Sequence, residues 1–362
     1  MQAQSHTRRR AHKSKTVTPS KPFVPIYEQL VGVYRDDILA HRLAPGSRID
    51  SINDIMVRHG VSRETAKLVL KILARDGLII QKPGKGSFVA DLRPRKKTWG
   101  VVLPFYSVQY EYLLEQLADK AWRMGREFHH FVDYNSFEDE IRLVGRLINE
   151  RYEAVIVVPT QDETQTSDFY SRLSAQGTFV ALMDHTMAGS YFPYVIQSYD
   201  LGVQRGMRHL AERAGGAIAF VRNEVWADRN VVQEMMEETY KQFIDSERIQ
   251  SHPIVIDRMN RVNADFLRSE SIRGIFCCDD ADAVRILGRL REAGMHIPGD
   301  LCLVSYGNTE LARFFTPTIT SIDPHSEEMA ETMARIMDSR LHGENTDYCQ
   351  YVVQPTLEVR ET

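Results

Sequence analysis

From Trp99 onward, short runs rich in β-branched and aromatic residues alternate with stretches whose apolar residues recur at helical spacing. The strand-like runs are residues 99–103, 128–132, 154–158, 179–183 and 194–197, then 217–221, 254–256, 274–278 and 301–305. Amphipathic helices fit between them, such as 111–124, 138–149, 203–213 and 281–293. Regular alternation of this kind demands an α/β fold, with parallel sheets and helices on both faces. The scheme runs once and then repeats. Two such sheets in tandem leave a cleft between them, at the carboxyl ends of the strands, where ligands bind.

A length of 362 residues allows two or three domains, each able to bury its own core. The apolar fraction of 43% and charged fraction of 26% are those of ordinary soluble protein. No run of about 18 apolar residues occurs, so no membrane span is expected. Arg8-Arg9-Arg10 has no apolar segment behind it, which argues against a secretory signal and for a cytoplasmic protein. The cysteines (Cys277, Cys278, Cys302 and Cys349) lack CxxC or His-rich spacing. No metal is expected, and the Cys277-Cys278 pair reads as strand packing.

Charge divides the chain. Residues 1–97 hold 20 Lys and Arg against 8 Asp and Glu, a net of +12. The remainder holds 25 against 41, a net of −16. A basic head on an acidic body points to a polyanion partner for the head alone.

Residues 1–22 read as a disordered basic arm, able to touch phosphates, or as a plain solvated tail. Residues 23–90 read as a winged helix-turn-helix. Pro25 precedes a helix over 26–40, with Tyr27, Leu30, Val31, Tyr34 and Ile38 on one face. Ser51 and Asp54 form a capping-box-like start for a short helix that Gly60 ends. Ser62 caps the next helix, 63–75, which turns Ala66, Val69, Leu70 and Leu73 inward and Arg63, Lys67 and Lys71 outward. The β-rich runs 78–80 and 87–89 flank Pro83-Gly84-Lys85-Gly86, making a wing. A charged linker over 91–97 leads to the effector-type body, 98–358.

Leu43-Ala44-Pro45-Gly46-Ser47-Arg48, Val61-Ser62-Arg63-Glu64-Thr65 and Pro83-Gly84-Lys85-Gly86-Ser87-Phe88-Val89 together resemble the GntR family head. In the body, Gly274-Ile275-Phe276-Cys277-Cys278-Asp279-Asp280-Ala281-Asp282-Ala283, Ile297-Pro298-Gly299-Asp300, Val304-Ser305-Tyr306-Gly307-Asn308 and Thr316-Pro317-Thr318-Ile319-Thr320 resemble the periplasmic-binding-protein-like domain of the LacI family. The combination resembles the arabinose-type repressors of bacteria. It implies a homodimeric, ligand-responsive repressor of sugar metabolism that binds double-stranded DNA.

The head resemblance assigns DNA contacts to Ser51, Asn53, Ser62, Arg63, Thr65, Lys67, Lys85 and Gly86. Arg63 can pair bidentately with guanine, and Ser62 and Thr65 suit phosphates at a helix N-terminus. Asn53 and Lys67 stand where the family usually has Arg, which loosens any borrowed operator. Asp50, where Pro is common, has no functional account from the sequence.

The body resemblance puts effector groups on loops after strands: Phe105, Tyr106, Tyr110, Asn135, Thr160, Asp184, His185, Tyr199, Trp226, Arg229, Asp279 and Asn308. Aromatics suit sugar faces; Asp, Asn and Arg suit hydroxyls. Gly307-Asn308 stands where an acidic residue is usual, which implies a less typical or acidic sugar.

Three other functions compete with this reading. A GntR-type fusion to a pyridoxal-phosphate enzyme needs a Schiff-base lysine, yet residues 98–362 hold only Lys120 and Lys241, neither in a suitable setting. Without a Gly-x-Ser-x-Gly, His-Glu-x-x-His or phosphate-loop motif, neither an enzyme nor a cofactor is expected. A regulator sensing a non-sugar metabolite stays open, and a transport binding protein fits the basic head poorly.

Overall fold

A computed structural model describes residues 25–82, 84–90, 92, 96–160, 178–187, 192–223, 230–344, 346 and 349–362. The chain divides into two compact units, one ending at Pro94 and the next beginning at Arg95.

In the first unit, helix α1 (Ile26–Leu39) is followed by α2 (Ile52–His59) and α3 (Arg63–Arg75). Leu30, Val31, Tyr34 and Ile38 of α1 pack with Ile55 of α2 and with Ala66, Val69, Leu70 and Leu73 of α3. A reciprocal capping box opens α2: the Asp54 amide donates to Ser51 Oγ at 3.3 Å, and the Ser51 amide donates to Asp54 Oδ2 at 2.9 Å. Gly60, at φ 64°, closes it. Strands β1 (Ile79–Lys82) and β2 (Gly86–Val89) form the antiparallel wing. The segment 46–49 runs beside β2, with Arg48 opposite Phe88.

Asp50 belongs to the framework of this unit. It accepts the Tyr34 hydroxyl at 2.6 Å and pairs with the Arg58 guanidinium, tying α1 to α2.

The second unit has two lobes. The first contains β3 (Lys96–Leu103), α4 (Val108–Arg123), β4 (Glu127–Val132), α5 (Phe137–Asn149), β5 (Tyr152–Val157), β6 (Phe179–Asp184) and β7 (Tyr194–Gln197). The chain then crosses through α6 (Tyr199–Arg213) to β8 (Ala217–Val221), α7 (Val231–Glu247), β9 (Ile254–Ile256), α8 (Ala264–Ser269), β10 (Ile272–Cys277), α9 (Asp280–Glu292), β11 (Cys302–Tyr306), α10 (Glu310–Phe314) and β12 (Thr320–Asp323). Helix α11 (Ser326–Leu341) and strands β13 (Gln350–Val353) and β14 (Thr356–Glu358) complete it.

The first sheet is parallel throughout, in the order β13-β7-β6-β5-β3-β4. The second, β14-β12-β11-β10-β8-β9, is parallel except where β14 runs against β12. Central strands such as β5 and β10 are almost wholly buried, as sheets covered on both faces require. Cys277 and Cys278 point to opposite faces and join different cores, which is strand packing.

The lobes interleave rather than following in tandem. After β12, α11 returns to the first lobe, where Met329, Met333 and Met337 join the core containing Leu113 and Leu117 of α4. Strand β13 then extends the first sheet, and β14 goes back to the second. Among the described residues the chain thus crosses between lobes after β7, after β12 and after β13.

Candidate functional site

The loops after β3, β8, β10 and β11 meet at a cavity of about 1080 Å³ in the second unit. Helix starts wall it. Ser107 caps α4 by accepting the Tyr110 amide at 3.2 Å, Asn230 caps α7 through Gln233 at 3.1 Å, and Asp279 caps α9 through Asp282 at 2.7 Å. All three caps line the cavity, so the positive ends of three helix dipoles face its contents. Phe105, Tyr106, Phe128 and His130 line one side; Asn223, Gln233, Met236, Arg285 and Thr309 lie on the side contributed by the second lobe. The Tyr106 hydroxyl is bonded to His130 Nε2, with the rings edge to face at 5.6 Å.

Three tyrosines (Tyr110, Tyr199 and Tyr306) line this cavity, and their hydroxyls enter a buried network behind it. Asp184 accepts Tyr110 at 2.8 Å, Tyr199 at 2.7 Å and Gln197 Nε2 at 2.6 Å. Gln197 Oε1 accepts the Tyr306 hydroxyl at 2.8 Å. Burial pushes against the Asp184 charge, but His185 and the hydrogen bonds from Tyr199 and Gln197 outweigh it and hold the carboxyl below its ordinary pKa. The same burial, together with the Asp184 charge, raises the phenols of Tyr110, Tyr199 and Tyr306. A ligand therefore meets aromatic rings whose hydroxyls are already spent. Because Asp184 and Gln197 end first-lobe strands while Tyr306 ends β11, the network also links the lobes.

Of the expected effector residues, Phe105, Tyr106, Tyr110, Tyr199 and Asp279 lie on the cavity wall. Trp226 and Arg229 lie outside the described residues. The structure places Asn135, Thr160, Asp184, His185 and Asn308 away from the lining. The Asn135 amide donates to Asp133 at 2.8 Å, the Thr160 amide to Glu140, and His185 Nε2 bonds Pro159 O at 2.9 Å. Asn308 donates to Asp323 at 2.6 Å and accepts from Arg360 at 2.5 Å. Its missing charge therefore bears on that internal pair, and the inference of an acidic sugar from it falls.

Asp280, expected only as part of the helix entry, is buried. It accepts Ser321 at 2.7 Å and both the amide and hydroxyl of Thr309, at 2.7 and 2.8 Å, bracing the loop after β11. Sequence reasoning missed Tyr306, although it ends a strand and the strand-end rule points at it. It also missed Asn223, His130 and Gln233, which no local motif marks.

In the first unit, Arg63, Lys67 and Lys71 share the exposed edge of α3, and Asn53 is exposed on α2. Ser62 Oγ caps α3 and lies 2.9 Å from Thr65 Oγ1, while Lys67 pairs with Glu64 at 3.0 Å. Lys85 is exposed on the wing. Lys82 lies over the Phe88 ring at 5.0 Å. Ser51 is partly occupied by its capping box. Gly86, at φ 107°, faces the Arg48 guanidinium, so its missing side chain makes room within the protein.

The family model for bacterial regulatory proteins of the gntR family matches residues 26–89, and that for the periplasmic binding protein-like domain matches 207–362. The arabinose metabolism transcriptional repressor of Halalkalibacterium halodurans is 22% identical over 367 residues, covering 91% of this chain and 94% of its own length. A LacI family transcriptional regulator from Enterococcus faecium with bound ribose superposes with a TM-score of 0.62 at 20% identity, over 73% of this chain and 97% of that one. A periplasmic binding protein/LacI transcriptional regulator from Alkaliphilus metalliredigens, complexed with D-xylulofuranose, gives 0.62 at 17%, over 74% and 99%. Among the described residues no helix is long and apolar enough to cross a membrane. The chain therefore joins a helix-turn-helix head that matches the gntR family of bacterial regulatory proteins to a body with a periplasmic binding protein-like domain.

Proposed function

We propose that this protein is a sugar-responsive transcriptional repressor, acting as a cytoplasmic homodimer on a double-stranded DNA operator. The observation that carries the reading is the interlobe cavity, floored by tyrosine rings, in a chain that also has a winged helix-turn-helix with a basic outer edge. A relative named for arabinose metabolism, and neighbours holding ribose and D-xylulofuranose, make five-carbon sugars the first ligands to try. Ser51, Asn53, Ser62, Arg63, Thr65, Lys67, Lys85 and Gly86 form the proposed DNA face. Phe105, Tyr106, Tyr110, Tyr199 and Asp279, with Trp226 and Arg229, form the proposed effector set. The relatives are transcriptional regulators, and the reading assigns no catalytic step or cofactor.

The test is retardation of duplex from the chain's own promoter region at low salt, with and without pentoses, hexoses and uronic acids. A true ligand at 100 times its dissociation constant stabilises the body by about 2.7 kcal/mol, visible as a thermal shift. Absence of any DNA retardation would overturn the repressor reading; absence of a shift across the sugars would overturn the effector class.

A further inference from the structure

The geometry points to Arg48 as a phosphate contact of the DNA face, a role resting on the DNA-binding reading above. The head's described arginines divide sharply. Arg35 and Arg75 pair with Asp76, Arg42 with Asp37 and Arg58 with Asp50. Arg48 and Arg63 make no ion pair among the described residues, and both are exposed. Arg63 already sits at the start of α3. Arg48 is the other uncommitted fork.

Its position is fixed without a carboxylate. The backbone around it is hydrogen-bonded to β2, with Gly46 donating to Val89 and Ile49 to Ser87, each at 2.9 Å. The guanidinium lies against Gly86: a Cβ there would be 3.1 Å from Arg48 Nε and 3.3 Å from the nearer terminal nitrogen. Its charge also reaches Asp54 in the first turn of α2. Arg48 thus lies beside Gly86, next to Lys85 on the wing, with its charge felt in the α2 turn that carries Asn53. Holding a long side chain still costs up to about 2 kcal/mol of rotamer entropy, and no ion pair among the described residues offsets it here. A planar fork with five donors at that place suits the oxygens of one DNA phosphate. The contact positions the head and reads no sequence.

The experiment is fluorescence anisotropy of the full chain on its promoter duplex and on an unrelated duplex, across about 50–200 mM salt. Arg48→Ala and Arg48→Gln should each weaken both duplexes alike and reduce the slope of log K against log salt by about 0.9, one phosphate's worth. Arg48→Gln reaches as far as the Nε position over Gly86 and removes the charge, so beside Arg48→Ala it separates charge from most of the packing. Arg48→Lys should restore the slope. A parental slope in Arg48→Gln, with or without a loss of affinity, overturns the assignment. If the parent binds neither duplex, the DNA-binding reading itself fails.

Discussion

Asp133 directly follows β4 with no exposed surface, and its Oδ1 accepts the Asn135 amide at 2.8 Å. Burial first, and then the charge of Glu140, push its pKa up to about 8 from 3.8. The folded state thus binds this proton more tightly than the unfolded chain does. Its contribution to stability is full below about pH 4 and is lost as pH rises toward about 8. Asp133→Asn mimics the protonated carboxyl. In urea unfolding it should match the parent near pH 4 and exceed it at pH 8 by at least about 1.4 kcal/mol, the worth of one pKa unit. Equal pH slopes would refute this. Asn308 shows the reverse case, a neutral amide that must stay neutral. Its Nδ2 donates a hydrogen bond to Asp323 and its Oδ1 accepts one from Arg360. Asn308→Asp removes the donor and sets two carboxylates together, so thermal melts near pH 7 should show a loss of about 1–3 kcal/mol.

Helix α6 lies on the second sheet through two glycines one turn apart. A Cβ on Gly206 would come within 2.5 Å of the Phe276 ring, and one on Gly202 within 2.8 Å of Tyr306. Gly288 sits inside α9 with nothing within 4 Å of its would-be Cβ. One substitution therefore acts with opposite signs. Gly206→Ala overpacks and should cost about 1–3 kcal/mol, whereas Gly288→Ala relieves backbone entropy and should add about 0.5–1 kcal/mol; melting temperatures of the two variants check the pair. The helix start at Ser62 was legible in the sequence because the cap and its amide lie three residues apart, whereas Asp279 read only as a ligand group and the structure makes it the cap of α9. Strand β13 was not legible: Val353 is its single buried residue, so it shows no alternation to read. Its place is set by pairing with β7 far upstream. Asp184 and His185 read as ligand groups for the same reason. The groups that consume the Asp184 oxygens stand on α4, at the end of β7 and at the start of α6, and no local window shows them.

Across the whole body, the tyrosine network is where cavity and lobe arrangement meet. The Tyr306 ring lines the cavity and lies 5.4 Å from that of Tyr199, while its hydroxyl is held by Gln197 of the first lobe. A ligand pressing on that ring acts on a side chain pinned to the opposite lobe. Tyr306→Phe keeps the ring and deletes the pin, leaving Gln197 Oε1 buried without this donor at a cost of about 1–3 kcal/mol. A coupling of about 1–3 kcal/mol between effector and operator changes operator affinity about 5–150-fold. If the pin carries part of that coupling, the ratio of operator affinities without and with saturating sugar should shrink toward one in Tyr306→Phe. Saturation removes any loss of sugar affinity from the comparison, and unchanged sugar-free operator affinity excludes general damage. A parental ratio in this variant would mean that the lobes communicate through the crossovers themselves rather than through the tyrosine and glutamine between them.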